Sequence, residues 1–157
     1  MGQPPSPAGF AELYERHARD VFRYALVLTG RMEDAEDLTS EAFIRIWEAA
    51  TDIEELTVRG YLVTIVRNLH RSSWRREKRR ASMPAEVAAP AADPLAAVEL
   101  ERVLAALARL PALDREVLAL RAETGLSFDE IAAITGLSAE AARVRVHRAR
   151  KRLMEVL

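Results

Sequence analysis

The chain has no cysteine, which excludes disulfides, thiolate metal sites and cysteine nucleophiles and fits a reducing cytoplasm. No apolar run approaches bilayer length, and the polar, proline-bearing residues 1–9 contain no apolar stretch, so neither export nor membrane insertion is expected. The histidines His17, His70 and His147 are far apart and form no paired site, so a surface or edge position is expected for His17. Acids crowd residues 33–55, but no metal-binding loop or phosphate-cradling glycines accompany them. Paired carboxylates on convergent loops are also missing, which leaves an acid-dependent nuclease or phosphohydrolase without support. No catalytic residue, metal or cofactor is expected.

What remains is a chain of 157 residues, half of them hydrophobic, enough for one medium or two small domains. A net charge of -1 would argue against nucleic acid if it were spread evenly. It is not. Between residues 33 and 55 the only base is Arg45, whereas bases concentrate in 67–80 and 143–152. Charge separated into blocks suggests separate partners for separate surfaces.

Residues 58–80 read as one helix with two faces. Val58, Leu62, Ile65, Val66 and Leu69 share one side and should be buried, while Arg67, Arg71, Trp74 and Lys78 share the other, with Asn68 and Arg75 at its edge. Neutralising phosphates carries no base information. An indole within the cations adds some, because stacking on a ring is worth about 1–3 kcal/mol per base and needs an unpaired base. From this stretch alone, a solvated helix end with Trp74 folded onto a neighbour is an equally good account.

Upstream, residues 10–28 give a first helix with Phe10, Leu13, Tyr14, His17, Val21, Phe22 and Ala25 at helical intervals, ended by Thr29-Gly30. Residues 33–50 give a second, its first turn acidic as the macrodipole favours, with Ala35, Leu38, Ala42, Ile46 and Ala49 inward. Ile44 and Trp47 project outward beside Asp37, Glu41 and Glu48, an apolar anchor in an acidic rim of the kind found on protein docking surfaces. The plainer alternative puts Trp47 under a neighbouring helix. Residues 51–57 are a polar connection to the basic helix, placed where an extruded base could be accepted.

Residues 81–94 turn to alanine and proline, an extended linker spanning at most about 45 Å. The expected architecture is all-α: two small helical domains, residues 10–80 and 95–157, joined by this flexible Ala/Pro linker. In the second, helices over 95–110 and 113–122 are separated by Pro111 and closed by Gly125. Ser127 then caps a short helix, with Glu130 at the capping-box position. Thr135-Gly136-Leu137 turns tightly and Ser138 caps the last helix, the pattern of a helix-turn-helix. On that helix Ala142, Val146, Ala149, Leu153 and Val156 should be buried, and Glu140, Arg143, Val144, His147, Arg148 and Lys151 lie opposite, where they can reach base edges and phosphates. Arg145, Arg150 and Arg152 flank this face and suit phosphate.

At these residues the chain resembles the extracytoplasmic-function sigma factors, small two-domain initiation subunits of bacterial RNA polymerase. The run Asp34-Ala35-Glu36-Asp37-Leu38-Thr39-Ser40-Glu41-Ala42-Phe43-Ile44-Arg45-Ile46-Trp47 is similar to that family's polymerase-clamp-binding helix. Tyr61-Leu62-Val63-Thr64-Ile65-Val66-Arg67-Asn68-Leu69 with the arginines after it is similar to its promoter-melting segment, and residues 126–153 to its helix-turn-helix. Ser40, Tyr61, Ser72 and Ala141 depart from the family's usual residues. The resemblance implies that Asp37, Leu38, Glu41, Ile44 and Trp47 dock on the polymerase core. It implies that Arg67, Asn68, Arg71, Trp74 and Arg75 engage the melted downstream (-10) promoter element. It further implies that Ser138, Glu140, Arg143, Val144, Arg145, His147, Arg148 and Lys151 lie at the duplex upstream (-35) element, and that an anti-sigma protein is a partner. The competing reading is a stand-alone dimeric helix-turn-helix regulator, which leaves Ile44 and Trp47 among acids as a dimer surface.

Overall fold

In a computed structural model the described residues are 6–49, 55–79 and 93–157, with the side chains of 55–57 and 73–79 outside the description. Among them are seven helices and no strand: α1 (Pro7–Thr29), α2 (Met32–Ala49), α3 (Glu55–Arg79), α4 (Pro94–Ala108), α5 (Ala112–Thr124), α6 (Phe128–Thr135) and α7 (Ala139–Val156). The expected linker lies outside the described residues except Asp93 and Pro94, which cap and begin α4.

Local chemistry sets most helix ends. Helix α1 starts earlier than the apolar pattern suggests, because the Ser6 hydroxyl accepts from the Gly9 amide at 3.1 Å and Pro7 occupies the first turn, where a missing N–H costs nothing. The α6 start is closed reciprocally: Ser127 Oγ accepts from the Glu130 amide at 3.1 Å and Glu130 Oε2 from the Ser127 amide at 2.7 Å. At its other end Gly136 takes φ 77°, which side chains disfavour, and donates to the Ala132 carbonyl at 2.9 Å. That turn, with Ser138 Oγ accepting from the Ala141 amide at 3.0 Å, aims α7 across α6.

Helix α1 packs on α2 and α3 and also along α5, and α3 touches α6, so one core runs through both halves of the chain. The expected inner face of α2 is buried at Ala35, Leu38, Ala42 and Ile46, and Phe43 and Thr39 join it. Val58, Leu62 and Val66 of α3 are buried as expected, as is Val63. Tyr24, on the side of α1 that meets α5, has no exposed surface. Leaving a side chain of that size in water costs about 1.5–3 kcal/mol, which favours covering α1 with the second half.

Three expectations from the sequence fail on burial. His17 is 4% exposed rather than at the surface, because α1 is covered on more than one side. Val156 is 48% exposed, since α7 extends beyond the core at its last turn. Arg67, assigned to a binding surface, is inside at 8%, and Leu38, whose helical period places it inward while the family resemblance implies docking, is inside at 9%, as the period expects.

Candidate nucleic-acid interface

Helix α7 presents its face in register. Ala142, Val146 and Ala149 are buried, and Ser138, Glu140, Arg143, Val144, His147, Arg148 and Lys151 are exposed. Arg145 is the exception. Its Nη1 donates to Asp114 Oδ1 at 2.6 Å, and Arg152 Nη1 lies 3.9 Å from Oδ2 of the same carboxylate. Asp114 is 1% exposed in the first turn of α5, so these arginines neutralise a buried charge and brace α7 on α5. Arg145 is therefore tied to α5, with about a third of its side chain exposed, rather than standing free on the outer face. Phe128, at the start of α6, carries two guanidiniums, Arg121 at 4.6 Å and Arg143 at 5.1 Å from its ring centre. Arg143 is thus steered by a cation–π contact while still exposed.

The basic helix of the front half behaves differently. Asn68, Arg71 and Ser72 are exposed on α3, whereas Trp74 and Arg75 belong to α3 with side chains outside the described residues. Arg67 turns inward: its Nε pairs with Glu116 Oε1 of α5, and its Nη1 donates to the Ile134 carbonyl of α6 at 3.1 Å. Tyr24 of α1 donates its hydroxyl to the same Glu116 oxygen at 3.4 Å. Burial first, then the Glu116 charge, pushes the Tyr24 phenol well above the usual tyrosine range, so it keeps its proton. One helical step from Asn68, a position that periodicity places on the outer row is consumed by a buried acid that sequence order puts 49 residues away.

On α2, Asp37 and Glu41 are exposed, with Glu41 Oε1 accepting from Arg45 Nε at 3.3 Å. Ile44 is 48% and Trp47 39% exposed. The Trp47 ring meets Phe10 edge-on at 5.0 Å, and Phe43 meets Phe10 at 6.3 Å and Tyr14 at 4.8 Å, an aromatic seam between α1 and α2. Leu38 belongs to the core, since its α2 register points it toward Ala35 and Ala42 rather than outward. This removes it from the docking patch. A groove of about 470 Å³ opens between α1 and α4, lined by Phe22, Leu26, Val27, Val103 and Leu104 among others.

Sequence reasoning missed Glu116, Asp114, Tyr24 and Phe128. The two acids had a signal: they sit among Leu113, Val117, Leu118 and Leu120 on a helix with little free surface, and an acid there needs a cation. Among the described residues no group of three His, Asp or Glu could hold a metal, and no helix is long and apolar enough to cross a membrane.

The fold and its exposed recognition helix define a helical, two-part DNA-binding protein, and comparison places it more narrowly. Residues 13–80 match the Sigma-70 region 2 family and residues 100–153 the Sigma-70 region 4 family. The chain is 32% identical to the ECF RNA polymerase sigma factor EcfG of Rhodopseudomonas palustris, over 85% of this chain and 77% of that protein. It is 33% identical to SigE of Mycolicibacterium smegmatis, over 99% of this chain and 64% of the relative's length. Among solved structures it resembles the sigma factor RpoE of Bartonella quintana, in complex with the anti-sigma factor NepR, with TM-score 0.79, 27% identity, and coverage of 94% of this chain and 95% of that one. It also resembles CnrH, in complex with the cytosolic domain of CnrY, with TM-score 0.72, 29% identity, and coverage of 94% and 86%. The chain belongs to the extracytoplasmic-function sigma factors of the sigma-70 family.

Proposed function

We propose that the chain directs bacterial RNA polymerase core to promoters by reading the upstream element as duplex with α7 and holding the opened downstream element on α3. The observation that carries this is the α7 face, where Arg143, Val144, His147 and Arg148 point outward behind a capped turn while Ala142, Val146 and Ala149 anchor the helix. Arginine bidentate on guanine and valine against a thymine methyl are contacts that distinguish base pairs in the major groove, and Lys151 further along suits phosphate.

The working units are residues 10–80 and 95–157, with 81–94 as the tether. On the first, Asp37, Glu41, Ile44 and Trp47 form the polymerase-docking patch, and Asn68 and Arg71, continued by Trp74 and Arg75, contact the separated strand. The protein works by binding rather than catalysis, in the cytoplasm. The sigma factor RpoE, of similar structure, is in complex with the anti-sigma factor NepR, and a protein of that class is the expected inhibitor here.

Reconstitution with core polymerase tests the reading. Transcripts should start from sites selected out of random DNA only when core and chain are both present. Tight polymerase-independent binding to a palindrome with two half-sites would instead identify a dimeric regulator.

A further inference from the structure

Arg143 is the arginine of α7 best placed to read a base, and α7 does not hold it alone. It stands at the start of the second turn, within the part of a recognition helix that reaches base edges. Its guanidinium carbon lies 5.1 Å from the centre of the ring of Phe128, the first residue of α6. Arg121 of α5 lies over the same ring at 4.6 Å, and its Nη1 also donates to the Leu126 carbonyl at 2.9 Å. The backbone carrying the ring is fixed. Leu126 is tied back to α5 by Arg121, Ser127 is closed by its reciprocal bonds with Glu130, and Phe128 follows directly. One aromatic side chain thus joins three helices through two cations, and the outermost of these cations belongs to the exposed face of α7.

We propose that Phe128 is a specificity-determining positioning residue: its ring holds the Arg143 guanidinium in the pose that meets a base edge of the upstream element, and Phe128 itself supplies no base contact. The inference rests on the reading of α7 given above; the contact among the three side chains does not. An arginine on a helix surface samples many rotamers, and most are lost when its planar fork closes on a guanine. An aromatic face that already selects among them moves that cost from binding to folding, so the correct base is gripped more tightly. A cation–π contact at an exposed site shifts such an equilibrium about two- to fivefold. The gain goes to one base pair. A phosphate contact tolerates the sweep of a long side chain, whereas bidentate pairing with a base fixes both donors.

Two substitutions separate the ring's face from its bulk: Phe128→Leu removes the π system and keeps an apolar residue, and Phe128→Tyr keeps both. The assay is competition binding by the full chain on core polymerase, with a duplex selected from random DNA and its single base-pair substitutions as probes. Arg143→Ala first identifies the base pair that Arg143 reads. Phe128→Leu should then lose about two- to fivefold of discrimination at that same base pair and none elsewhere, and Phe128→Tyr should retain it. In an Arg143→Ala background, Phe128→Leu should have no further effect there. A residue with a structural role alone gives another pattern, weakening at every position and by the same factor with or without Arg143, and that pattern would overturn the proposal. One measurement needs no variant. In the unaltered chain the Phe128 ring current should move the Arg143 δ-methylene protons upfield of those of Arg148, exposed on the same helix. Equal shifts in the two arginines would overturn the proposal even if Phe128→Leu fails to fold. A ring-shifted Arg143 whose removal spares every base pair would instead overturn the reading of α7, and the assignment of Phe128 with it.

Discussion

The two basic helices look alike in sequence and differ in what their arginines do. Helix α7 keeps Arg143, His147, Arg148 and Lys151 outward and spends Arg145 on Asp114. Helix α3 keeps Asn68 and Arg71 outward and spends Arg67 on Glu116. Both acids lie near the start of α5, yet the first fastens a helix within its own half and the second reaches across to the other half. A cation in a basic row is thus a binding group only if no buried carboxylate faces it, and the facing helix decides that.

The comparison can be broken by experiment. The largest effect expected is from Arg145→Ala, which strands the buried Asp114 carboxylate with only Arg152 at 3.9 Å and should cost about 3 kcal/mol in urea unfolding, because removing one member of a pair leaves a buried charge uncompensated. A loss well below 1 kcal/mol would make Arg145 available to DNA after all. Trp47→Ala should weaken association with polymerase core by at least about 2 kcal/mol, the scale of an interface anchor. Its edge-on contact with Phe10 contributes about 0.5–1.5 kcal/mol to folding beyond the area it buries, and the partly exposed ring keeps the folding cost below that of a core tryptophan. Equal damage to folding and to the isolated chain's DNA binding would make Trp47 a core residue instead. On α7, Arg143→Ala should lose about 1–3 kcal/mol of discrimination at one base pair. Lys151→Ala, by contrast, should weaken all sequences alike and reduce the salt slope by about 1. Footprint titrations over a salt series distinguish the two.

The smallest effect is on pH dependence. His17 is buried among groups that include Arg59, Arg16 and Asp20; burial first, then the two arginines, hold its imidazole below the ordinary 6.5, against an opposing pull from Asp20. The unfolded chain takes up the proton sooner, so stability present above about 6.5 is lost as pH falls through the lower folded value. The slope from one group is at most about 1.4 kcal/mol per pH unit. His17→Leu should flatten it in thermal melts.

The helix-turn-helix was legible because its signals are local: Ser127 and Glu130 close one helix start, Gly136 turns the chain, and Ser138 opens the next helix. The outward placement of Ile44 and Trp47 was legible from the α2 period for the same reason. Tertiary facts were not. Phe43, His17, Arg67 and Arg145 are buried or tied by α1, α5 and α6, elements far along the chain, and no periodicity within one helix encodes which neighbour will cover it. The continuity of the core across both halves was invisible for that reason too, since the sequence presents the halves as separate amphipathic sets on a tether.

Permanganate reactivity of promoter thymines, read with core polymerase and the chain together, tests the division of labour between α3 and α7 most directly. Thymines of the downstream element should react only in the complete mixture, and Arg71→Ala should abolish that reactivity while protection of the upstream element persists. Simultaneous loss of upstream protection in Arg71→Ala, or complete mixtures that never open a base, would contradict the account.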